Sequence, residues 1–318
     1  MILSKGPRIV VFFITYRCNA HCIMCHIWEK QNNVREMNLP QIERLFRDHL
    51  FRNSLEIINL TGGEPTLLAD LREIVKIVLN NCLNLKRIDI PTNGINTDLV
   101  IDKIEQIGAL LFPYQKVKLT ITVSLDGINS IYEKVRNVPD GFKKVERTIK
   151  ALKELTELYS FLSLALNTVI TKENYNHLEE ILDFAQGLGL SLNFTLGAIS
   201  EIGVESVWLK ERFILGKDQK KEVVTFINNL QRNRLISHRY AMFVKNLLIE
   251  GKRILNCSFR QKKAVLIEPN GDAYLCGNFK RFLLGNITQD NFSNLWRKRR
   301  FSWTDWKICK NCESNCYI

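Results

Sequence analysis

The sequence predicts an α/β protein built on a parallel sheet. Its 318 residues are 46% hydrophobic, which is enough to bury a large core. Between residues 9 and 200, six short apolar segments alternate with amphipathic segments, the pattern of strands connected by helices. Right-handed crossovers between parallel strands produce either a doubly wound sheet or a barrel, and the pattern fits both.

Each predicted strand is a short apolar run, and together the strands cover residues 9–14, 56–60, 86–90, 117–125, 161–170 and 191–196. In the predicted helices apolar residues recur with helical spacing, over residues 40–52, 70–80, 98–107, 142–158 and 175–187. Two further amphipathic helices, 219–230 and 239–250, form a helical bridge over residues 201–256. The turn Pro269-Asn270-Gly271-Asp272 separates two apolar runs and predicts a hairpin from residue 264 to residue 275.

Three cysteines follow the first predicted strand. Cys18, Cys22 and Cys25 have the spacing C-x3-C-x2-C on the loop that leaves the carboxyl end of the strand, where α/β barrels carry out chemistry. Cubane iron–sulfur clusters are usually held by four cysteines, so three thiolates would leave one iron open to an exchangeable ligand. A zinc knuckle with a fourth ligand elsewhere in the chain is the alternative.

This stretch resembles the cysteine loop of the radical S-adenosylmethionine (radical SAM) superfamily. The resemblance implies the partial (β/α)6, TIM-like barrel of that superfamily over residues 1–200, with SAM bound to the open iron of a 4Fe–4S cluster. It also implies reductive cleavage of SAM to a 5′-deoxyadenosyl radical, which abstracts a hydrogen from the substrate. Met24 stands where the superfamily commonly has an aromatic residue against the adenine, and a flexible thioether can fill that space.

Three later strand ends carry motifs that look like those of the superfamily. Gly62-Gly63-Glu64 resembles the motif whose backbone binds the SAM amino group, since paired glycines let the backbone approach a ligand. Asn93 lies in a similar segment after the third strand. The resemblance places Ser124 and Asp126 near the ribose and methionine of SAM. It places Arg136, expected on a loop, at the SAM carboxylate, which a planar guanidinium suits.

Five further cysteines lie near the C-terminus. Cys257, Gly271 and Cys276 have the spacing C-x13-G-x4-C, which resembles the opening of the SPASM and twitch domains attached to many radical SAM enzymes. The resemblance implies a small auxiliary domain over residues 257–318, in which four cysteines hold one 4Fe–4S cluster: Cys257, Cys276, Cys309 and Cys312. A structural zinc site is the alternative, because C-x2-C pairs also bind zinc.

One cubane needs four ligands and this region has five cysteines, so one cysteine is spare. We take the spare to be Cys316, because Cys309 and Cys312 form the compact C-x2-C pair. A free thiol beside a substrate radical is a good hydrogen donor, because S–H bonds are weaker than most C–H bonds. We therefore predict Cys316 as the catalytic hydrogen donor of an epimerisation. Cys316 as a cluster ligand, or as a bystander near the terminus, remains open at this point.

The sequence gives no sign of export or of a membrane anchor. No run approaches the roughly 20 apolar residues that cross a bilayer, and no signal peptide is evident. Nine cysteines without a secretory segment indicate metal or redox chemistry in a reducing compartment, so we expect a cytoplasmic protein. The resemblance adds an external electron donor such as flavodoxin or ferredoxin as a partner.

Charge is uneven along the chain, because residues 201–318 carry 22 Lys and Arg against 11 Asp and Glu, nearly all of the net +12. A basic half indicates an anionic partner. The cysteine loop starts at residue 18, so we expect no leader-peptide-binding domain ahead of it. These two observations predict a sugar-like or other small polar substrate, with or without an anionic group, that is epimerised or dehydrogenated.

Two other functions fit the sequence. The first is radical SAM epimerisation or cross-linking of a ribosomally made peptide. The second is a zinc-binding nucleic-acid module, based on the basic residues Lys262-Lys263 and Arg297-Lys298-Arg299-Arg300 and the aromatic residues interleaved with them. Iron and sulfide content discriminates the second function from the enzymes, since a zinc module contains neither.

Overall fold

The computed structural model describes residues 6–32, 34–114, 116–197, 215–253, 257–298, 309 and 312. The six predicted strands are present and lie side by side in sequence order. They are β1 (Ile9–Thr15), β2 (Ile57–Gly62), β3 (Arg87–Thr92), β4 (Lys118–Ser124), β5 (Leu162–Ile170) and β6 (Ser191–Leu196). Every neighbouring pair among them is parallel, so the predicted α/β partial barrel is confirmed.

The helices follow the strands as the alternating pattern predicts. They are α1 (Leu39–Phe46), α2 (His49–Ser54), α3 (Leu71–Asn81), α4 (Thr97–Leu111), α5 (Asn129–Arg136), α6 (Gly141–Leu158), α7 (Leu178–Gly187), α8 (Lys217–Arg232), α9 (His238–Glu250) and α10 (Phe292–Lys298). Short 3-10 turns occupy Ile27–Lys30, Pro65–Leu67, Phe112–Tyr114 and Lys280–Phe282. No helix in the described part of the chain is long and apolar enough to span a bilayer.

The two faces of the sheet differ in polarity because successive side chains point to opposite sides. On one face, residues such as Phe12, Leu60 and Ile90 are fully buried in a core shared with the helices. On the other face, Asn59 and Thr122 are only half-buried and line a cavity. The sheet therefore has an apolar face covered by helices and a polar face that lines the interior of the partial barrel.

The C-terminal hairpin continues this sheet. Strand β7 (Ala264–Ile267) pairs parallel with β1, and β8 (Asp272–Tyr274) and β9 (Leu283–Asn286) follow as antiparallel strands. Gly271 has a φ of +92°, the conformation that the predicted turn requires. Sharing one sheet places the hairpin beside β1, and Asn278, in the segment after β8, lines the same cavity as the cysteines after β1. The division into domains 1–200, 201–256 and 257–318 stays a prediction.

A buried carboxylate holds this hairpin to the cysteine loop. The hydroxyl of Tyr16, which directly precedes the loop, donates to one oxygen of Glu268, and the Tyr274 hydroxyl donates to the other at 2.9 Å. All three side chains are nearly inaccessible to solvent. Buried hydrogen bonds to a charged acceptor are stronger than those between neutral groups, so this network fixes the two segments relative to each other.

Two local predictions were wrong. The helix expected over 40–52 is divided into α1 and α2, because Asp48 caps α2 through a hydrogen bond from the Leu50 N–H at 3.0 Å. Arg136 was expected on a loop, yet it is the last residue of α5. Tyr132 and Val135 form the buried face of this helix, whose eight residues are too few for a clear sequence pattern.

Candidate functional site

A cavity of about 770 Å³ lies at the carboxyl ends of the strands. It brings together most of the predicted residues of the N-terminal region: Cys18, Cys22, Met24, Cys25, Gly62, Gly63, Asn93, Ser124 and Arg136. Two predicted residues, Glu64 and Asp126, are not part of its wall. The positions agree with the rule that parallel α/β folds place ligands at this edge of the sheet.

The three N-terminal cysteines lie within electrostatic reach of one another. Burial raises the pKa of the Cys18 thiol to about 11, and negative charge on Cys22 adds to this rise. Burial also raises the pKa of Cys25 to about 12, with the charge on Cys22 again contributing. Metal binding stabilises the thiolates and releases their protons. Three converging thiols on a cavity wall are a donor set that fits the SAM-binding cluster.

Aromatic packing and backbone hydrogen bonds hold the cysteine loop in place. The indole N–H of Trp28 donates to the Cys25 carbonyl at 2.8 Å, and the His21 ring meets the indole edge-on at 4.6 Å between centroids. The Ile23 N–H donates to the carbonyl of Val135 in α5 at 3.0 Å. The loop is thereby fastened to the helix that carries Arg136.

The paired glycines are required by the backbone of the cysteine loop. A Cβ on Gly63 would lie 2.2 Å from the Arg17 carbonyl oxygen, and a Cβ on Gly62 would lie 2.2 Å from that of Thr15. The Gly63 N–H donates to the Thr15 carbonyl at 2.8 Å. The glycines therefore allow two loops to pack together, a reason that the sequence analysis, which considered only approach to a ligand, did not include.

Glu64 fixes two loops from behind the cavity wall. Its side chain is 1% exposed and accepts hydrogen bonds from the Asn93 N–H at 2.7 Å and the Thr92 hydroxyl at 3.0 Å. It also accepts from the Thr66 hydroxyl at 2.7 Å. Burial raises the pKa of this carboxyl, and the N–H and O–H donors oppose that rise. Glu64 thus joins the loops after β2 and β3.

Asp126, like Glu64, lies behind the cavity wall, where it contacts Arg136. It is fully buried, forms an ion pair with the Arg136 guanidinium and accepts the Val169 N–H at 2.7 Å. Arg136 also donates through Nη1 to the Cys22 sulfur at 3.5 Å. The guanidinium therefore connects a cysteine of the loop with a buried carboxylate and still contributes to the cavity wall.

Alanine in place of Gly63 should disturb the cysteine loop. The new Cβ cannot be accommodated without moving the Arg17 carbonyl, so we expect a loss of about 1–3 kcal/mol in the free energy of unfolding and a lower iron content after reconstitution. Urea denaturation and iron assays measure both. Gly187→Ala is the matched control, because nothing lies within 4 Å of its Cβ and alanine favours a helix. Equal behaviour of the two variants would contradict this role of Gly63.

The predicted C-terminal ligands also converge. Burial raises the pKa of Cys276 to about 12 and that of Cys309 to about 11, and negative charge on Cys257 and on Cys312 adds to both shifts. Cys276 and Cys309 are therefore each in electrostatic reach of Cys257 and Cys312, and four thiols are the ligand number of a 4Fe–4S cluster. Cys316 lies outside the described residues, so its predicted role as hydrogen donor stays a prediction.

The sequence analysis missed much of the cavity wall. Polar residues two positions apart on the strands line it: Asn59 and Thr61, Thr122 and Ser124, Asn193 and Thr195. Of these the sequence analysis predicted Ser124 alone. Asn167 also lines it and accepts a hydrogen bond from the Thr195 hydroxyl at 2.9 Å. A period of two within apolar strands is readable from sequence and could have identified these residues. Asn278, from the C-terminal region, carried no such signal.

Comparison with known proteins identifies the family. The chain matches the radical SAM superfamily over residues 12–185 and the SPASM iron–sulfur cluster-binding domain over residues 257–317. It therefore belongs to the radical SAM superfamily and is a radical SAM enzyme with a SPASM domain. These two domains imply SAM and two 4Fe–4S clusters as cofactors, the set that the sequence predicts. This assignment replaces the zinc-binding nucleic-acid module as an interpretation.

Individual relatives and a solved structure show which radical SAM proteins this chain resembles. Mycofactocin maturase MftC of Mycolicibacterium smegmatis is 25% identical over 296 residues, which are 92% of this chain and 70% of that protein. A probable GTP 3′,8-cyclase of Sulfurisphaera tokodaii is 27% identical over 177 residues, 56% of this chain and 51% of that protein. SuiB of Streptococcus suis, bound to its precursor peptide SuiA, shares the fold with a TM-score of 0.64 and 17% identity, over 96% of this chain and 67% of SuiB.

Proposed function

We propose that this enzyme modifies a ribosomally made peptide by abstracting a hydrogen from one of its carbons. This is the alternative weighed from the sequence, and it now takes precedence over the sugar-like substrate first predicted. Similarity to the maturase MftC extends over 92% of the chain, whereas similarity to three probable GTP 3′,8-cyclases covers 54% to 76% of it. SuiB, which shares the fold, was crystallised with a precursor peptide.

The neutral, hydrogen-bonding wall of the cavity is the observation that carries this proposal. Asparagine and threonine supply most of its polar side chains, and Arg136 is the single charged residue among the described residues of the wall. Asparagine amides both donate and accept hydrogen bonds, which suits the N–H and C=O groups of a peptide backbone. A phosphorylated or strongly anionic substrate is better recognised by several arginines and lysines.

The basic C-terminal half gives little support to an anionic substrate at this site. Lys262 and Lys263 are exposed, and among the described residues of 215–298 the cavity wall includes Asn278 alone. The positive charge of this half therefore lies away from the cavity in the part of the chain that is described. A solvated surface or an acidic partner protein, such as the electron donor, explains that charge equally well.

We assign the cofactor contacts as follows. Cys18, Cys22 and Cys25 hold the SAM-binding cluster, and Cys257, Cys276, Cys309 and Cys312 hold the auxiliary cluster. SAM, when bound and reductively cleaved, supplies the radical that abstracts the substrate hydrogen. Met24, the backbone of Gly62 and Gly63, and the side chains of Asn93, Ser124 and Arg136 contact SAM from the cavity wall. Glu64 and Asp126 act indirectly, by holding Asn93 and Arg136 in position.

Mass spectrometry of a candidate substrate tests the peptide assignment. The protein, reconstituted anaerobically with iron and sulfide, is incubated with SAM, a reductant and a short peptide encoded next to its gene. We expect the peptide to lose two hydrogens if it is cross-linked, or to take up solvent deuterium in heavy water if it is epimerised. Either change should increase in parallel with 5′-deoxyadenosine.

The same assay tests the predicted role of Cys316 and can contradict the peptide assignment. If Cys316 donates the hydrogen of an epimerisation, Cys316→Ala should keep its iron and 5′-deoxyadenosine formation but lose deuterium uptake. If the peptide returns unchanged while amino sugars or nucleotide sugars are converted in step with 5′-deoxyadenosine, the peptide assignment is contradicted. The small polar substrate predicted from the sequence would then be restored.

A further inference from the structure

Asn278 connects the C-terminal cysteines with the cavity. It is 8% exposed and follows Cys276 by two residues, so its backbone N–H donates to the Cys276 sulfur at 3.4 Å. Its side-chain Nδ2 donates to the sulfur of Cys312 at 3.6 Å. Asn278 is also part of the cavity wall, whose other described residues all belong to the region 18–197. One residue therefore contacts two predicted cluster ligands and faces the space where the substrate reacts.

We propose that Asn278 is a positioning residue that raises the reduction potential of the auxiliary cluster at the cavity wall. Hydrogen bonds to cysteine sulfurs stabilise the more negative, reduced form of an iron–sulfur cluster and so raise its potential. Asn278 supplies one such bond from its backbone and one from its side chain. This inference rests on the assignment of the auxiliary cluster to Cys257, Cys276, Cys309 and Cys312.

The position of Asn278 distinguishes it from Arg253, another side-chain donor near these sulfurs. Arg253 donates to the Cys312 sulfur at 3.9 Å, a longer contact, and its guanidinium lies 5.3 Å from the ring of Phe243 rather than in the cavity wall. Asn278 thus both lines the cavity and donates to two predicted ligands of the auxiliary cluster. Its amide can influence electron transfer between a molecule in the cavity and that cluster without binding iron itself.

Redox titration followed by electron paramagnetic resonance (EPR) tests the proposal. It is performed on the holoenzyme and on the chain in which Cys18, Cys22 and Cys25 are alanine, where the auxiliary cluster gives the remaining signal. Asn278→Leu, which removes the side-chain donor, should lower the reduction potential of the auxiliary cluster by about 59 mV, which is a tenfold shift toward the oxidised form for one electron. Asn278→Asp should shift it further, because a carboxylate adds negative charge near the sulfurs.

Asn193→Leu is the matched control, since it makes the same change elsewhere in the cavity wall and should leave the auxiliary potential unchanged. An unchanged potential in both Asn278 variants, with full iron content, would overturn the proposal. Loss of cluster iron in the isosteric Asp variant would also overturn it, because Asn278 would then be needed to hold the cluster. A wild-type chain without an auxiliary signal would instead contradict the assignment of the cluster itself.

Discussion

Replacing Cys18, Cys22 and Cys25 together by alanine should abolish reductive cleavage of SAM. The proposed assignment gives these three thiolates to the cluster that binds SAM, and all three residues line the same cavity. The variant should still hold about four irons per chain, because the proposed ligands of the auxiliary cluster are the four C-terminal cysteines, which this change leaves intact. Chromatographic assay of 5′-deoxyadenosine and chemical assay of iron measure the two effects.

A cysteine outside both sites provides the control. Cys82 is 3% exposed, and its surroundings raise the pKa of its thiol to about 12 through burial. Cys82→Ala should keep the iron content and the SAM cleavage of the wild type, with a modest loss of stability from a lost core contact. Formation of 5′-deoxyadenosine by the triple variant would contradict the assignment of the three N-terminal cysteines.

Arg136→Ala should lower the free energy of unfolding by about 3–5 kcal/mol, because it leaves the fully buried Asp126 carboxylate without its partner. The same change should weaken SAM binding by about 1.5–3 kcal/mol if the guanidinium holds the SAM carboxylate. Urea denaturation measures the first effect. Equilibrium binding of SAM, at a temperature where the variant stays folded, measures the second.

Arg147→Ala is the control that separates the effect of losing a buried ion pair from the effect of losing a charge at the surface. Arg147 pairs with Asp98 at 2.8 Å, but both side chains are mostly exposed, so its loss should cost no more than about 1 kcal/mol. Equal losses of stability in the two variants would show that the Arg136–Asp126 pair is not a buried network. Unchanged SAM affinity in Arg136→Ala would leave Arg136 with a structural role, through Asp126 and Cys22, and remove it from the cofactor contacts.

The strands and the cysteine loop were predictable because their signals are local. Each strand is an apolar run bounded by polar segments, and Cys18, Cys22 and Cys25 lie within one short stretch of chain. The short helix α5 was missed because its local signal is weak: eight residues contain only one clear repeat of its apolar face. Consequently Arg136 was expected on a loop; it lies in the cavity wall, and its contact with the SAM carboxylate stays a prediction.

Contacts between distant segments were not predictable in this way. Glu268 accepts a hydrogen bond from Tyr16, a residue 252 positions earlier, and nothing in either neighbourhood indicates the pairing. Asn278 reaches the cavity because β7 pairs with β1, a register that depends on the whole sheet. The sugar-like substrate was predicted from the summed charge of residues 201–318, whereas the proposed peptide substrate rests on the side chains that line the cavity.

EPR of the reduced, reconstituted protein before and after addition of SAM tests most directly whether this enzyme has one SAM-binding cluster and one auxiliary cluster. We predict about eight irons per chain and two signals, of which one changes when SAM is added. That signal should be missing from the variant without Cys18, Cys22 and Cys25, and the other should persist. Zinc in place of iron, or a spectrum that SAM does not alter, would contradict the assignment of the two sites.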